Sequence, residues 1–233
     1  MRALVTPEWG AQPTKLPPEL DRYFPVLNGD YSERWDIGIN LLDRVHAEKC
    51  TCAIASHPVV RVLNGIVLDD PNTSDHHIYL NHPALKGSVL FLSHVGDSRV
   101  VFASLAEFMD FVGKAKREGL WFSDLHPSRS TIVEDQVALS QLITDLLDNS
   151  DPEIEAAVLA IIPSMDLRDE RLLSRLASDS NFFYGEAVAR EIEKRPAPYL
   201  MRLAERCAQH EHIQVRQAWN RAVAAIRELK VES

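Results

Sequence analysis

The stretch that decides the fold is GSVLFLSHVGDSRVVFASLAEFMDFVGKAKREG, residues 87–119. Residues 88–95 and 99–103 have the β-branched and aliphatic composition of strands, and Gly96-Asp97 between them suits a tight type II′ turn. Both faces of the first strand are apolar at its centre, which favours a sheet that is covered on at least one side. The stretch therefore begins with a predicted β-hairpin.

A capped amphipathic helix is predicted directly after the hairpin. Ser104 and Glu107 form a capping box, in which the hydroxyl and the carboxylate each accept a hydrogen bond from a backbone amide. Gly119 suits the C-terminal cap. The apolar residues between these caps recur at helical spacing and form one stripe: Leu105, Phe108, Met109, Val112 and Ala115. We expect this helix to pack across the sheet that the chain has just left.

Two further segments complete a sheet of about four strands. Residues 59–68 are apolar and β-branched around Asn64-Gly65, which fits either one strand with a bulge or two strands joined by a tight turn. Residues 69–75 are rich in turn formers and predict a loop, and residues 77–81 predict a short strand. Together with the hairpin, these strands predict an antiparallel meander flanked by helices, an α+β arrangement.

The segments before the sheet give weaker signals. Residues 20–27 offer a short apolar face, which Asn28-Gly29 ends as a turn. Residues 36–47 fit a helix slightly better than a strand.

The second half of the chain predicts an array of helical hairpins, from about residue 134 to residue 229. Ala157, Ala187 and Ala218 recur with a period of about 30 residues, and small side chains at a fixed point let helices approach closely. Such units cannot bury their apolar faces alone, so stacking is expected. DPEIEAA at 151–157 and HIQVRQA at 212–218 resemble the Asp-Pro-x-Val-Arg-x-Ala helix start of HEAT-type repeats.

Composition and charge are ordinary for a globular protein. The chain has 233 residues, of which 45% are hydrophobic and 25% charged, enough for one large or two small domains. The formal net charge is −9, from 34 acidic and 25 basic residues. Binding to nucleic acid or to an anionic membrane requires a basic face, so we expect neither partner and regard basic proteins as the natural complement.

The predicted location is the cytoplasm. No stretch resembles the apolar region of a signal peptide or reaches the length of a transmembrane helix. Cys50, Cys52 and Cys207 are an odd number with one far from the other two, which predicts reduced thiols rather than a disulfide framework.

The most suggestive cluster for chemistry lies at residues 69–82, where three carboxylates and three imidazoles suit a divalent ion or the activation of water. The cluster consists of Asp69, Asp70, Asp75, His76, His77 and His82. However, the spacings match no established zinc pattern, and adjacent residues on a strand point to opposite faces. A surface loop with a capping aspartate is the favoured interpretation.

Other signatures of catalysis are absent from the sequence. There is no G-x-S-x-G elbow, Walker A loop, G-x-G-x-x-G or H-E-x-x-H motif. Cys50-Thr-Cys52 has no matching pair that would complete a four-sulfur site. We therefore predict a protein that is not an enzyme and that carries no metal or cofactor.

The first half, residues 15–118, resembles the SUKH superfamily, which groups bacterial immunity proteins with fungal cell-wall regulators. LPPELDRYFPVLNGD at 16–30 is similar to the N-terminal pattern of that family, and residues 65–112 are similar to its central strands and closing helix. The matching residues are assigned structural roles. Asn28 and Gly29 form a turn, Gly87 allows a close approach of the backbone, Ser104 caps a helix, and Phe108 lies in the core. The predicted domains are a SUKH-like unit at 1–125 and a HEAT-like unit at 126–233.

The resemblance implies a protein-binding domain, since bacterial members of the family bind polymorphic toxins, often nucleases, and block them. An acidic protein is attracted to the basic face of a nuclease. The first hypothesis is therefore an immunity-type inhibitor, whose contact surface comprises exposed acids and the helical array. The acids are Asp69, Asp70, Asp75 and Asp97.

Two other hypotheses stand beside it. One is a helical-repeat adaptor or regulator of the cell-wall or signalling type, in which the first domain is a cap. The other is a metal-dependent hydrolase built on Asp69, Asp75, His76 and His82.

Overall fold

The computed structural model describes residues 17–30, 35–149 and 151–229, without the side chains of residues 28–30, 35 and 152. These ranges contain a mixed α+β fold, as predicted. The strands are β1 (Gly65–Val67), β2 (His76–Leu80), β3 (Val89–Leu92) and β4 (Arg99–Phe102). The helices are α1 (Pro18–Asp30), α2 (Arg44–Ala53), α3 (Pro58–Val62), α4 (Leu105–Glu118), α5 (Gln136–Leu147), α6 (Glu155–Ile161), α7 (Glu170–Ala177), α8 (Phe182–Lys194), α9 (Met201–Cys207) and α10 (Ile213–Leu229).

The four strands form an antiparallel meander in the order β1-β2-β3-β4, which confirms the predicted sheet. The register aligns Ile66 with Tyr79, Tyr79 with Val89, and Val89 with Phe102. These four aligned residues lie side by side across the sheet, and each is at most 1% exposed. Residues that point to the opposite face of the sheet, such as Ile78, are buried as well. The sheet is therefore covered on both faces, which accounts for the apolar residues on both sides of its strands.

The connection between β3 and β4 is longer than predicted. It runs from Ser93 to Ser98 rather than through a two-residue turn at Gly96-Asp97, so the type II′ prediction is wrong. The Ser98 hydroxyl accepts a hydrogen bond from the Ser93 amide at 3.0 Å and lies 3.3 Å from the Ser93 carbonyl. These side-chain contacts close the loop in place of further ladder bonds.

Helix α4 is capped at both ends as predicted. Ser104 accepts from the Glu107 amide at 3.1 Å, and Gly119 ends the helix with a φ of 63°. The Glu107 carboxylate accepts from the Ala103 amide at 2.6 Å, one residue before the cap rather than at the cap itself. Phe108, on the inner side of this helix, is fully buried.

Two glycine roles differ from expectation. No heavy atom lies within 4 Å of the place where a Cβ of Gly87 would be, so its role is not close approach. Gly87 instead adopts a φ of 92°, which is costly for other residues. Asn28 and Gly29 lie within α1, whose last residue is Asp30, and do not form a turn after it.

The segments before β1 differ most from the predicted structure. Residues 59–68 are not all strand, because α3 occupies the first part and β1 begins at Gly65. Pro58 starts α3, and the His57 ring caps it by accepting from the Val59 amide at 3.3 Å. A methyl group at Gly65 would lie 3.1 Å from the Val60 Cα, so the close packing of α3 on the sheet requires a glycine there.

The helix expected at residues 36–47 begins later. Asp43 caps α2 by accepting from the His46 amide at 2.9 Å, so the helix starts at Arg44. Leu41 is extended and forms an isolated antiparallel bridge with Asp69.

Helices α5 to α10 make up the described part of the second half, which is all α as predicted. Ala157 and Ala218 are fully buried, as the repeat predicts. At the third position Ala187 is only partly buried and packs against the core, whereas Val188, the next residue of α8, is fully buried. Helix α10 packs against α8 and α9, and α7 packs against α8.

The two halves share one continuous hydrophobic core. Helix α6 packs against α3 and β4, and Arg61 binds Asp151 with an Nη2 to Oδ2 distance of 2.6 Å. The Thr131 amide donates to the Val100 carbonyl at 3.1 Å, which fixes the connecting segment to the sheet. The boundary between 125 and 126 remains a prediction. None of the described helices is long and apolar enough to span a membrane.

Replacing Ser104 by alanine tests the cap of α4. The Glu107 amide loses its acceptor, so we expect the free energy of unfolding to fall by about 1 kcal/mol. Urea denaturation followed by circular dichroism measures the change. Ser128→Ala, at an exposed serine, is the matched control. An unchanged midpoint for Ser104→Ala would show that the cap does not stabilise the fold.

Candidate functional site

Two loops meet at one end of the sheet and form the candidate binding surface. In a meander, the β1–β2 and β3–β4 connections lie at the same end; here they run over residues 68–75 and 93–98, and their outer loops are residues 70–75 and 93–98. The Asp75 carboxylate accepts from the His94 amide at 2.8 Å and contacts the His94 Nδ1 at 2.7 Å. We call these two loops the loop-end surface. Its two parts are joined by the hydrogen bonds between Asp75 and His94.

Three of the four predicted acids lie on the loop-end surface. The Asp97 side chain is 72% exposed, and neighbouring Val95 is 77% exposed. Asp70 is partly buried and accepts from the Asn72 amide at 3.0 Å, which shapes its loop. Asp75 is also partly buried. The surface thus combines an exposed apolar tip with carboxylates.

The electrostatics of Asp75 reflect this contact between the loops. Burial raises the pKa of the Asp75 carboxyl, but hydrogen bonds from the His94 amide and ring, with the charges of His94 and His76, outweigh it. The net result is a lowered pKa, so the carboxylate is ionised at neutral pH.

Asp69 is not on the surface, and the prediction that it is exposed was wrong. It is 1% exposed, and its carboxylate points into the protein. The Asp69 Oδ1 accepts from the His77 amide at 2.5 Å, and its Oδ2 lies 2.8 Å from the His77 Nδ1. A buried carboxylate requires such partners, because an unpaired charge in a protein interior is strongly destabilising.

His77 continues this contact to a second histidine. The His77 Nε2 lies 2.9 Å from the His126 Nε2, so one of the two nitrogens donates and the other accepts. Burial, followed by the charges of His77 and Arg99, lowers the pKa of His126 to about 3. His126 is therefore neutral at physiological pH. Asp69, His77 and His126 form an internal polar chain that joins the sheet to the segment after α4.

Four phenylalanine rings surround the His77 ring. Their centroids lie 5.1 to 6.5 Å from that of the imidazole. The rings belong to Phe91, Phe102, Phe108 and Phe122. Such an apolar environment excludes water and strengthens the hydrogen bonds inside it.

Arg99 links the loop-end surface to the same segment. It is 9% exposed, and its Nη1 lies 2.8 Å from the Asp97 Oδ2. Its Nη2 donates to the Pro127 carbonyl at 2.6 Å. The polar chain and Arg99 together hold residues 122–127 against the sheet.

The polar chain has part of the geometry of a catalytic triad, since a carboxylate orients an imidazole. However, no Ser or Thr hydroxyl in the described ranges forms a hydrogen bond with His77 or His126 that would mark it as a nucleophile. The ring of phenylalanines also closes the site around His77. The arrangement is suited to holding segments together.

The four residues of the hydrolase hypothesis do not converge on one metal site in the described part of the chain. The His76 Nδ1 lies 3.0 Å from the Asp69 carbonyl, and the His82 Nδ1 accepts from the Ala84 amide at 3.3 Å. Asp75 faces His94 instead. Within residues 17–30, 35–149 and 151–229, no three His, Cys, Asp or Glu side chains are arranged to hold a metal ion. The geometry gives no support to the hydrolase hypothesis.

The cysteines form no disulfide. Burial raises the pKa of the Cys50 and Cys207 thiols, so both remain protonated at neutral pH. Protonated thiols are poor nucleophiles.

Sequence reasoning missed His126 and Arg99. The only available signals were an arginine within the apolar strand segment RVVF and a histidine in the junction WFSDLHP.

No family model, curated protein or solved structure matches this chain.

Removing the buried carboxylate tests the structural role of the polar chain. In Asp69→Ala, the His77 amide and ring both lose their acceptor, so we expect a loss of about 3 kcal/mol in the free energy of unfolding. Urea denaturation at neutral pH measures it. Asp70→Ala, which removes the neighbouring carboxylate from a surface loop, should cost no more than about 1 kcal/mol. Equal losses in the two variants would contradict a special role for Asp69.

The depressed pKa of His126 predicts a pH dependence of stability. The unfolded chain takes up a proton near the ordinary pKa of 6.5, whereas the folded chain resists it down to about 3. Stability from this group is therefore complete above pH 6.5 and lost as the pH falls, by at most about 1.4 kcal/mol per pH unit. Urea denaturation between about pH 7 and about pH 4.5 should show a steeper decline in wild type than in His126→Gln. His46→Gln, at an exposed histidine, serves as the control and should retain the wild-type slope.

Proposed function

We propose that this protein is a non-catalytic, immunity-type inhibitor that binds a toxin domain with a basic surface, such as a nuclease, and blocks it. The observation that carries the proposal is the contact between Asp75 and His94, which joins the two loops of the loop-end surface. That surface displays the exposed side chains of Val95 and Asp97, which are separated in sequence by Gly96 alone.

The composition of the loop-end surface suits protein recognition. Protein interfaces combine an apolar centre with a polar rim. On the loop-end surface, Val95 would form a small apolar centre and the nearby carboxylates would form the rim. Val95 is 77% exposed, so it has little packing to lose and apolar area to bury on binding.

The loop-end surface is also preorganised. Asp75 contacts both the backbone and the ring of His94, and Asp69 fixes the start of the β1–β2 loop from inside. Loops that are held in one conformation before binding lose less conformational entropy when a partner docks.

Charge supports the choice of a basic partner. The chain carries a formal net charge of −9, and the loops carry the carboxylates of Asp70, Asp75 and Asp97, of which the last is paired with the Arg99 guanidinium at 2.8 Å. Complementary charge accelerates encounter and excludes partners of like charge. The resemblance of residues 15–118 to the SUKH superfamily points to the same kind of partner, a toxin with a basic face.

The helical-repeat adaptor is the second candidate, and one observation favours it. The Phe182 and His212 rings stack with centroids 4.0 Å apart, which joins the first turn of α8 to the residue before α10. Phe183 and Ile213 beside them are 45% and 57% exposed. In this second hypothesis, the surface around Phe183 and Ile213, which we call the helical edge, contacts the partner.

Capture experiments distinguish the two surfaces. Tagged full-length protein is incubated with lysate of its own source and washed at about 50 mM and about 500 mM NaCl, and the bound proteins are identified by mass spectrometry. An inhibitor of the proposed kind captures a basic toxin-like protein that leaves at high salt, because salt screens exposed charges. Val95→Ser and Asp97→Asn should each reduce capture by about fivefold or more.

The matched controls are Val137→Ser and Asp110→Asn, which alter an exposed valine and an exposed aspartate on helices α5 and α4. Both should capture the partner as wild type does. Loss of capture in Ile213→Ser, with full capture by Val95→Ser and Asp97→Asn, would instead establish the helical edge as the contact surface. Capture that is indifferent to salt and to all these substitutions would overturn both assignments.

A further inference from the structure

A groove between α1 and α4 lies apart from the loop-end surface. Its volume is about 470 Å³, within the usual range for small-molecule sites. Its walls are largely apolar and include Val26, Leu105 and Met109. Val26 is 57% exposed, so this wall of the groove is uncovered.

Two tyrosines that line the groove have hydroxyls without a hydrogen-bond partner among the described residues. Tyr79 is 0% exposed and Tyr23 is 4% exposed, and each is an otherwise buried residue of the core. Burial, followed by the charge of Glu19, raises the pKa of Tyr79 to about 12. Burial also raises the pKa of Tyr23, with a further contribution from Asp69. Both hydroxyls therefore keep their protons and remain able to donate.

The groove also meets the N-terminus of α4. Leu105 and Ala106 line it and are the first two residues of the helix, whose amides have no acceptor within the helix. The Ser104 hydroxyl accepts from the amide of Glu107, the third residue. The positive end of a 14-residue helix favours an anion, although the Glu107 carboxylate offsets part of it.

The charged residues at the groove are Arg22 and Glu19. The Glu19 carboxylate lies 3.8 Å from the Lys86 Nζ, so its negative charge is partly balanced. Arg22 adds a cation on the same helix, one turn away. The polar part of the groove thus offers hydrogen-bond donors, the Arg22 cation and the partly balanced Glu19 carboxylate, and the rest is aliphatic.

We propose that this groove binds a small aliphatic carboxylate of medium chain length. The carboxylate accepts hydrogen bonds from the Tyr79 hydroxyl and the first amides of α4, and the alkyl chain packs against Val26, Leu105 and Met109. An anionic head satisfies the buried donors, whereas a neutral apolar ligand leaves them unpaired. This site is independent of the proposed inhibitor function, because the loop-end surface does not include these residues.

The test uses decanoate as the probe and decanol as the neutral control, both titrated into full-length ¹⁵N-labelled protein. Decanoate should shift the amide signals of Leu105 and Ala106 more than those elsewhere. Decanol should bind roughly tenfold more weakly, since it lacks the charge that the donors recognise. Absence of shifts at these two amides, or equal binding of decanol, would overturn the proposal.

Tyr79→Phe separates binding from folding. Because the Tyr79 hydroxyl has no partner among the described residues, its removal should leave the thermal midpoint unchanged or raise it. The same variant should bind decanoate roughly tenfold more weakly in calorimetric titration. Tyr184→Phe, at a buried tyrosine of α8, is the control and should bind as wild type does. Wild-type affinity in Tyr79→Phe would refute the assigned role of the hydroxyl.

Discussion

The pairing of the buried Asp69 carboxylate with His77 is the constraint on which the rest of the structure depends. A carboxylate that is 1% exposed is tolerated only when its oxygens are satisfied, and here the backbone and the ring of one residue satisfy both. The contact fixes the strand register at the end of β1 and the start of β2. It also sets where the β1–β2 loop leaves the core.

The same pairing has consequences at two distant places. Through the His77 ring it reaches His126, which holds the segment that leads into the helices. Through the loop that follows Asp69 it positions Asp75, whose contact with His94 shapes the candidate binding surface. The packing of the core and the arrangement of the two loops therefore both depend on one buried pairing.

The parts of the fold that the sequence predicted are those with local signals. The β3–β4 hairpin, the caps of α4 at Ser104 and Gly119, and the meander all follow from residues close in sequence. Helix α3 was missed because three buried valines fit a strand equally well, and the deciding cap from His57 is a weak signal. Asp69 was wrongly predicted to be exposed because the composition of its loop favours exposure. The contacts that begin at Asp69 extend through His77 to His126, which lies 49 residues further along the chain. Such long-range polar contacts leave no periodic pattern to read.

The most direct test of this account is a double-mutant cycle between Asp69→Ala and His126→Ala, with free energies of unfolding from urea denaturation at neutral pH. If Asp69, His77 and His126 act as one unit, the double variant loses less than the sum of the single variants, by about 1 kcal/mol or more. Losses that add to within about 0.5 kcal/mol would show that the two ends of the polar chain are independent. That result would contradict the central claim that the buried pairing of Asp69 with His77 organises the contacts that reach His126.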